Sequence, residues 1–328
     1  MEVVLDKFFR CQISRDKLKE LSIKSDWQGI KHVSIFFISL IFFGYLAYIS
    51  WGTWWTVLWF FIYGNIFHCS NPISHETKHN TAFKTKFLNK LFHQISCFMA
   101  GTEPTRWRNT HFLHHSSTLS TYDPYDYEIA VTKPTDLFFV FANLIPFGKL
   151  IVFHKTTHFD TLKIALGITT DAMRDSVPEK EQSKSRLVAR IYVGIWFAII
   201  LVSIAYQTWL PILYLILPDF YGNTLLQLLA TTQHAGLLTD TKDHRLSSRT
   251  MHLSPIFSFL YYHMEYHIEH HMFPTVPAHN LSKLHQLIKH QMPKPKKGLW
   301  NAYREIIPVI FRQASDPNYK MNIILPAK

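Results

Sequence analysis

Between residues 32 and 75 the chain carries no Asp, Glu, Lys or Arg. An α-helix rises ~1.5 Å per residue and the hydrocarbon core of a bilayer is ~30 Å thick, so this run is about twice too long for one crossing and must turn back. Its weakest helical point is Ser50-Trp51-Gly52-Thr53, flanked by Tyr48, Trp54 and Trp55. Tyr and Trp collect at headgroup level. The run therefore reads as spans 31–49 and 53–70, ended by Asn71-Pro72. A second run, 191–239, holds one charged residue, Asp219. It splits into spans 187–206 and 212–233, with a turn at 207–211 and a kink at Pro218. Asp219 is expected near the far surface, where a charge is tolerated.

The turns at 50–53 and 207–211 carry no Lys or Arg; nearly all of the 34 lie in the N-terminal arm, the middle segment and the tail. The positive-inside bias puts both termini and the 71–186 segment on the cytoplasmic side. The expected fold is an all-α integral membrane protein of one domain. It has an arm at 1–30, a transmembrane hairpin at 31–70, a cytoplasmic and interfacial segment at 71–186, a second hairpin at 187–234 and a cytoplasmic segment at 235–328. Four transmembrane helices thus carry a cytoplasmic helical cap. Within the middle segment, Phe87, Leu88, Leu91, Phe92, Ile95, Phe98 and Met99 recur at helical spacing beside Lys84, Lys86 and Lys90. That is the pattern of a helix lying on the membrane surface, and 137–152 is a second such stretch. The net charge of +11 comes from residues flanking apolar runs, which favours lipid over nucleic acid. Cys11, Cys69 and Cys97 form neither a metal spacing nor a disulfide framework. The charged N-terminus lacks the apolar stretch of a cleavable signal.

Histidine is the other anomaly, with 20 in the chain. Three clusters lie in the polar segments: His75-Glu76-Thr77-Lys78-His79, His111-Phe112-Leu113-His114-His115 and His267-Ile268-Glu269-His270-His271. Helical residues three or four apart share a face, so each cluster turns its imidazoles one way. Such a set suits iron, zinc or copper. Eight ligands are too many for one tetrahedral zinc and furnish about four to each of two metals, a histidine-rich di-metal site in the cap. His234, in Gln233-His234-Ala235-Gly236, ends the fourth span at the same surface and reads as a further ligand. His263 lies one turn before His267; it reads as a supporting residue with the option of ligation, and His68 as an interfacial hydrogen-bonding residue. His32, His93, His154, His158, His244, His252, His279, His285 and His290 read as surface residues. The first cluster also spells HExxH, the helix of a zinc metalloprotease with Glu76 as general base, but that reading leaves both HxxHH clusters unexplained. A metal carrier or transporter would place ionisable residues inside the spans, which hold almost none.

The clusters resemble the three histidine boxes of the membrane fatty acid desaturase family, which hold a non-haem di-iron centre. Here they read HETKH, HFLHH and HIEHH. The resemblance extends to TAFKTKFLN after the first box, GTEPTRWRNTHFLHH at the second, and TQHAGL, DHR and YHIEHHMFPTVP around the third. It is similar to a bacterial branch that includes rhizobitoxine-type desaturases. The resemblance implies two iron ions held by His75, His79, His111, His114, His115, His267, His270 and His271, with His234 in a ligand position of the family. That branch carries Asn where this chain has His263. Trp107 and Arg108 match its WR pair and are expected at the substrate mouth. A bacterial inner membrane is implied in preference to endoplasmic reticulum.

The implied reaction uses O2 and two external electrons to desaturate a fatty acyl chain, because no side chain can break two unactivated C–H bonds. Hydroxylation, or a small amino-acid-derived substrate, is the alternative. The chain has no Cys-rich iron–sulfur pattern and no GxGxxG, so neither flavin nor nicotinamide is expected on it. Electrons are expected from a ferredoxin-like carrier, or a cytochrome b5-like one in a eukaryote. Lys283, Lys289, Lys294, Lys296 and Lys297 either dock such an acidic donor or rest on anionic membrane lipid. Carboxylates should orient the imidazoles through their other ring nitrogen; Glu265, Glu269, Asp123, Asp126 and Asp240 are the sequence candidates.

Overall fold

Helices account for nearly all the regular structure of the computed structural model, which describes residues 8–122, 126–128, 134–316 and 318–326. The chain forms two compact units that interleave in sequence. Unit 1 comprises Met1–Ser25, His111–Leu137 and Leu229–Lys328; unit 2 comprises Asp26–Thr110 and Phe138–Leu228.

Helix α1 (Arg15–Leu21) is capped by Ser14, whose hydroxyl accepts from Lys17 N–H. Helix α2 (Asp26–Ile49) buries Val33, Phe36, Leu40, Gly44 and Ala47 at helical spacing, yet its other faces expose Ile38, Ile41, Phe42 and Tyr45. A helix apolar all round belongs in hydrocarbon. Gly52, at φ 85°, turns the chain into α3 (Trp54–His68). The expected span to residue 70 stops short: Cys69 ends α3, and α4 (Ser70–Lys78) starts at once. Pro72 fits the first turn of α4, where no intrahelical N–H is needed. Helix α5 (Lys86–Met99) buries Asn89, His93, Ser96 and Cys97 and exposes Phe87 and Leu91, so its small polar face packs inward, against α4. Helix α6 (Pro104–Ser116) opens on a buried Glu103 whose carboxylate accepts from Thr105 N–H at 3.0 Å, Arg106 N–H at 2.7 Å and the Ser185 hydroxyl at 2.6 Å.

Helix α7 (Pro134–Leu144) exposes Phe138 and Phe141. It covers only the first half of the expected surface stretch; 3-10 turns follow. Helices α8 (Thr157–Ala165) and α9 (Asp171–Ser176) pack Ile164 and Met173 with Val177 and with Ala189 of α10 (Glu179–Ala205). Among the described residues, α2 and α10 are the helices long and apolar enough to cross a bilayer. The expected fourth span is not one kinked helix. It breaks into α11 (Leu210–Leu215), α12 (Pro218–Tyr221) and α13 (Thr224–Thr231), because Pro218 and Gly222 interrupt the ladder. Glycine is required at this break: a Cβ on Gly64 of α3 would stand 2.4 Å from the Tyr221 ring, and one on Gly222 would stand 1.9 Å from the Gly64 carbonyl carbon. Asp219 does not sit at a water surface. It is fully buried, accepts from Lys149 Nζ at 2.7 Å and pairs with His68. The charge is tolerated because a partner charge was buried with it.

In unit 1, Asp243 caps α14 (His244–Ser247). Strand β1 (Met251–His252) pairs in parallel with β2 (Lys296–Lys297). Helices α15 (Pro255–Leu260), α16 (His267–Met272), α17 (Ala278–Ile288) and α18 (Gly298–Ser315) complete the unit. The Asn280 side chain donates to Leu21 O at 2.9 Å and ties α17 to α1.

Candidate metal centre

The second histidine cluster ends α6, where spacings of three and four put His111, His114 and His115 on one face. Leu119, at φ 56°, reverses the chain just beyond. The returning segment brings two carboxylates back: Asp126 accepts from His114 Nδ1 at 2.9 Å, and Glu128 from His111 Nδ1 at 2.8 Å. Burial alone raises the Asp126 pKa, but its electrostatic interaction with the His114 ring and the hydrogen bonds from His114, Leu119 and Glu128 outweigh it and hold the carboxyl below its ordinary range.

The third cluster forms the short buried helix α16. His234 follows α13 by three residues and is buried too. The ligating nitrogens of His114, His234, His267 and His271 lie within 4.8 Å of one another. His267 Nε2 stands 2.8 Å from His234 Nε2 and 3.0 Å from His271 Nε2.

The second ring nitrogens fix the tautomers. His114 Nδ1 faces a carboxylate and His234 Nδ1 faces Ser247 O at 2.7 Å, so both carry the proton on Nδ1. The Thr118 hydroxyl donates to His114 O at 2.7 Å, which leaves it to accept from His271 Nδ1 at 3.3 Å. Nε2 of His114, His234 and His271 therefore presents a lone pair. A single N–H on His267 Nε2 can serve only one of its two neighbours. Lone pairs converging at this distance repel unless a cation lies among them, so the residues fit a metal ion held by imidazole. Burial first, then the neighbouring histidines, keeps His267 and His271 well below the ordinary histidine pKa, and His234 is pushed down to about 3 by burial and by the His114 ring beside it. The rings are thus neutral and ligand-competent at neutral pH.

A second set draws on the same helices. His115 Nε2 stands 2.9 Å from His111 Nε2 and 3.1 Å from His270 Nε2, all in unit 1. In unit 2, at the end of α4, the rings of His75 and His79 lie 5.2 Å apart.

A profile of the family described as fatty acid desaturase matches residues 49–303. The chain belongs to the fatty acid desaturase family. A search of curated proteins returns no match. Membership makes the desaturase a membrane-associated oxidoreductase, and its histidine clusters are able to hold metal ions.

Other sequence candidates have the following partners. Glu269 points away from the ligating side of α16, accepting from the Thr250 hydroxyl at 2.6 Å and pairing with His285 Nδ1. Glu265 pairs with the Ser258 hydroxyl, and burial raises its pKa to about 7. Asp240 accepts from Thr121 N–H at 2.9 Å and Oγ1 at 2.8 Å, joining two loops. Asp123 lies outside the described residues. His263 adopts φ 60°, a conformation in which Asn and His are enriched, and its Nδ1 lies 2.9 Å from Ser258 Oγ, outside the four-nitrogen group. Trp107 Nε1 donates to Ser74 Oγ at 3.1 Å, and Arg108 pairs with Glu181 at 2.7 Å. His93, His158, His244 and His285 are buried, not surface residues. Glu128, Thr118 and His244 were not singled out by sequence. His244 stacks on Phe8, with centroids 4.4 Å apart, and its ring lies 4.9 Å from that of His271. Of the two carboxylates in that loop, nearness to the second box singled out Asp126 alone; Glu128, seventeen residues after His111, gave no signal because spacing across a loop fixes no geometry.

Proposed function

We propose that the chain is an O2-dependent di-iron desaturase of a fatty acyl chain. His114, His234, His267 and His271 hold one iron; His111, His115 and His270 serve the other, to which the three-box resemblance assigns His75 and His79 as well. The converging lone pairs, with tautomers fixed by Asp126, Ser247 and Thr118, carry this reading. Iron is preferred to zinc because zinc has no redox chemistry. When bound, the irons supply the O2 activation needed to cleave two unactivated C–H bonds. In balance, the substrate gives up two hydrogens and O2 takes them with two electrons and two protons, yielding the alkene and two waters. Asp126 and Glu128 orient their imidazoles and hold the Nδ1 protons. The acyl reading draws support from an open apolar groove of about 520 Å³ in unit 2, bordered by Phe37, Leu40, Ile41, Gly44 and Phe67; a methylene chain needs apolar walls along its length.

The electrons come from an external acidic carrier, steered by Lys283 and Lys289 on and just after α17. Four crossings, with the boxes and both termini on the cytoplasmic side, follow from the Lys/Arg asymmetry. A reporter at Gly52 or Thr208 is expected outside and one at Lys180 inside; finding Lys180 outside overturns the topology. For the chemistry, metal analysis of purified active protein should give two irons per chain. Mass spectrometry of lipids and small metabolites, with and without the active enzyme, should show new acyl double bonds. One zinc without iron sinks the metal assignment, and new products confined to small polar metabolites or hydroxylated species sink the acyl assignment.

A further inference from the structure

Helix α18 packs into unit 1 through Ala302, Ile306, Val309 and Ile310. A helix with one buried face should turn a polar face outward. This one does not. At 100° per residue, Trp300, Arg304, Ile307 and Phe311 fall within an arc of about 60°. The three apolar members of that stripe are 75%, 48% and 59% exposed. One border is cationic: Lys297 precedes the helix, Arg304 stands at the edge of the stripe and Arg312 lies about 80° further round, all exposed, and Lys294 and Lys320 extend the charge. The one acidic residue of the helix, Glu305, is engaged by Arg249 at 3.2 Å and by Lys296, so it does not neutralise the outer face.

We propose that the outer face of α18 is an in-plane membrane helix that docks on an anionic bilayer surface. Trp, Ile and Phe on a cation-bordered stripe are what such a surface takes up: rings and branched chains sit at the boundary of headgroups and acyl chains, while Lys and Arg reach the lipid phosphates. The charge balance selects anionic lipid, since residues 289–320 carry Lys289, Lys294, Lys296, Lys297, Arg304, Arg312 and Lys320 against Glu305 and Asp316.

The test uses the full chain in nanodiscs of phosphatidylcholine with phosphatidylglycerol. Cysteines placed singly at Ile307, Phe311 and, as a control off the stripe, Asn301 are labelled with an environment-sensitive fluorophore. Cys11, Cys69 and Cys97 are buried, and the unsubstituted chain reports any background. Size-exclusion profile and thermal midpoint identify variants that misfold. The expected result is blue-shifted emission and quenching by bilayer-confined nitroxide at 307 and 311, with quenching by aqueous iodide at 301. The blue shift should be lost in Arg304→Glu/Arg312→Glu and reduced in discs of phosphatidylcholine alone. Equal iodide quenching at all three positions overturns the proposal. So does protection at 307 and 311 that requires two copies per disc, or that arises only on adding an acidic electron carrier.

Discussion

Replacing Asp126 by Asn separates charge from shape at the metal centre. One carboxylate oxygen accepts from His114 Nδ1 at 2.9 Å and from Leu119 N–H at 2.7 Å; the other accepts from Glu128 N–H at 2.8 Å. Asn offers one carbonyl oxygen. Placed toward His114, it leaves its NH2 against the Glu128 N–H, donor to donor; flipped, it sets that NH2 against His114 and Leu119. Either way a donor loses its acceptor, at about 1–3 kcal/mol, and the surviving bonds fall from the charged range of ~1.5–3 kcal/mol to the neutral range of ~0.5–1.5 kcal/mol. Only part of this reaches the metal. Removing the carboxylate partner of a ligating imidazole lowers metal affinity by roughly 10–100-fold, which is about 1.4–2.8 kcal/mol at 1.4 kcal/mol per decade. Chelator competition, read as metal per chain by mass spectrometry, should therefore show Asp126→Asn releasing metal at a roughly 10–100-fold lower chelator strength. Asp240→Asn is the matched control, because that carboxylate accepts from Thr121 and from no histidine. Wild-type metal retention in Asp126→Asn, or equal loss in both variants, refutes the assignment.

Other outcomes follow from the same geometry. His234→Ala should lose metal and activity, whereas His263→Asn, whose ring lies outside the four-nitrogen group, should keep both; metal content and turnover decide, and the reverse ranking sinks the assignment. Asp219→Ala strands the buried Lys149 ammonium and should lower stability by about 3–5 kcal/mol, with much of the loss recovered in Asp219→Ala/Lys149→Met; an unchanged melting temperature in detergent contradicts this. Gly64→Ala drives a methyl into the Tyr221 ring and should destabilise by roughly 1–3 kcal/mol, seen as faster proteolysis of unit 2.

The helices with the plainest patterns were legible. The uncharged run before Ser50 became α2, and the lysine-bordered apolar pattern at 86–99 became α5. The spacing of the boxes told which imidazoles share a helix face, because helical periodicity is local. What could not be read was tertiary. The pairing of Asp219 with Lys149 spans seventy residues, so a lone acid in an apolar run looked like a surface residue. Glu269 sits inside the third box, where proximity suggests an orienting role. But α16 turns it toward Thr250 and His285, away from the ligating side, and sequence adjacency carries no direction. The same holds for His244 and His285, ordinary in sequence and buried only because distant segments cover them.

The interleaving of unit 1 has a consequence for how the protein is made. His114 and His271 are linked through Thr118, which meets His271 across 153 residues of sequence, and His234 and His267 belong to the same group. A ribosome that has released the helices of unit 2 has delivered only one histidine of that group. Metal loading therefore waits until the chain has emerged past residue 271. Closing so long a loop is an entropic step of about 4 kcal/mol before any ligand bond repays it. A nascent chain that stalls before then holds His114 without its three partners, so a metal for this group would be needed at the end of synthesis, not during membrane insertion.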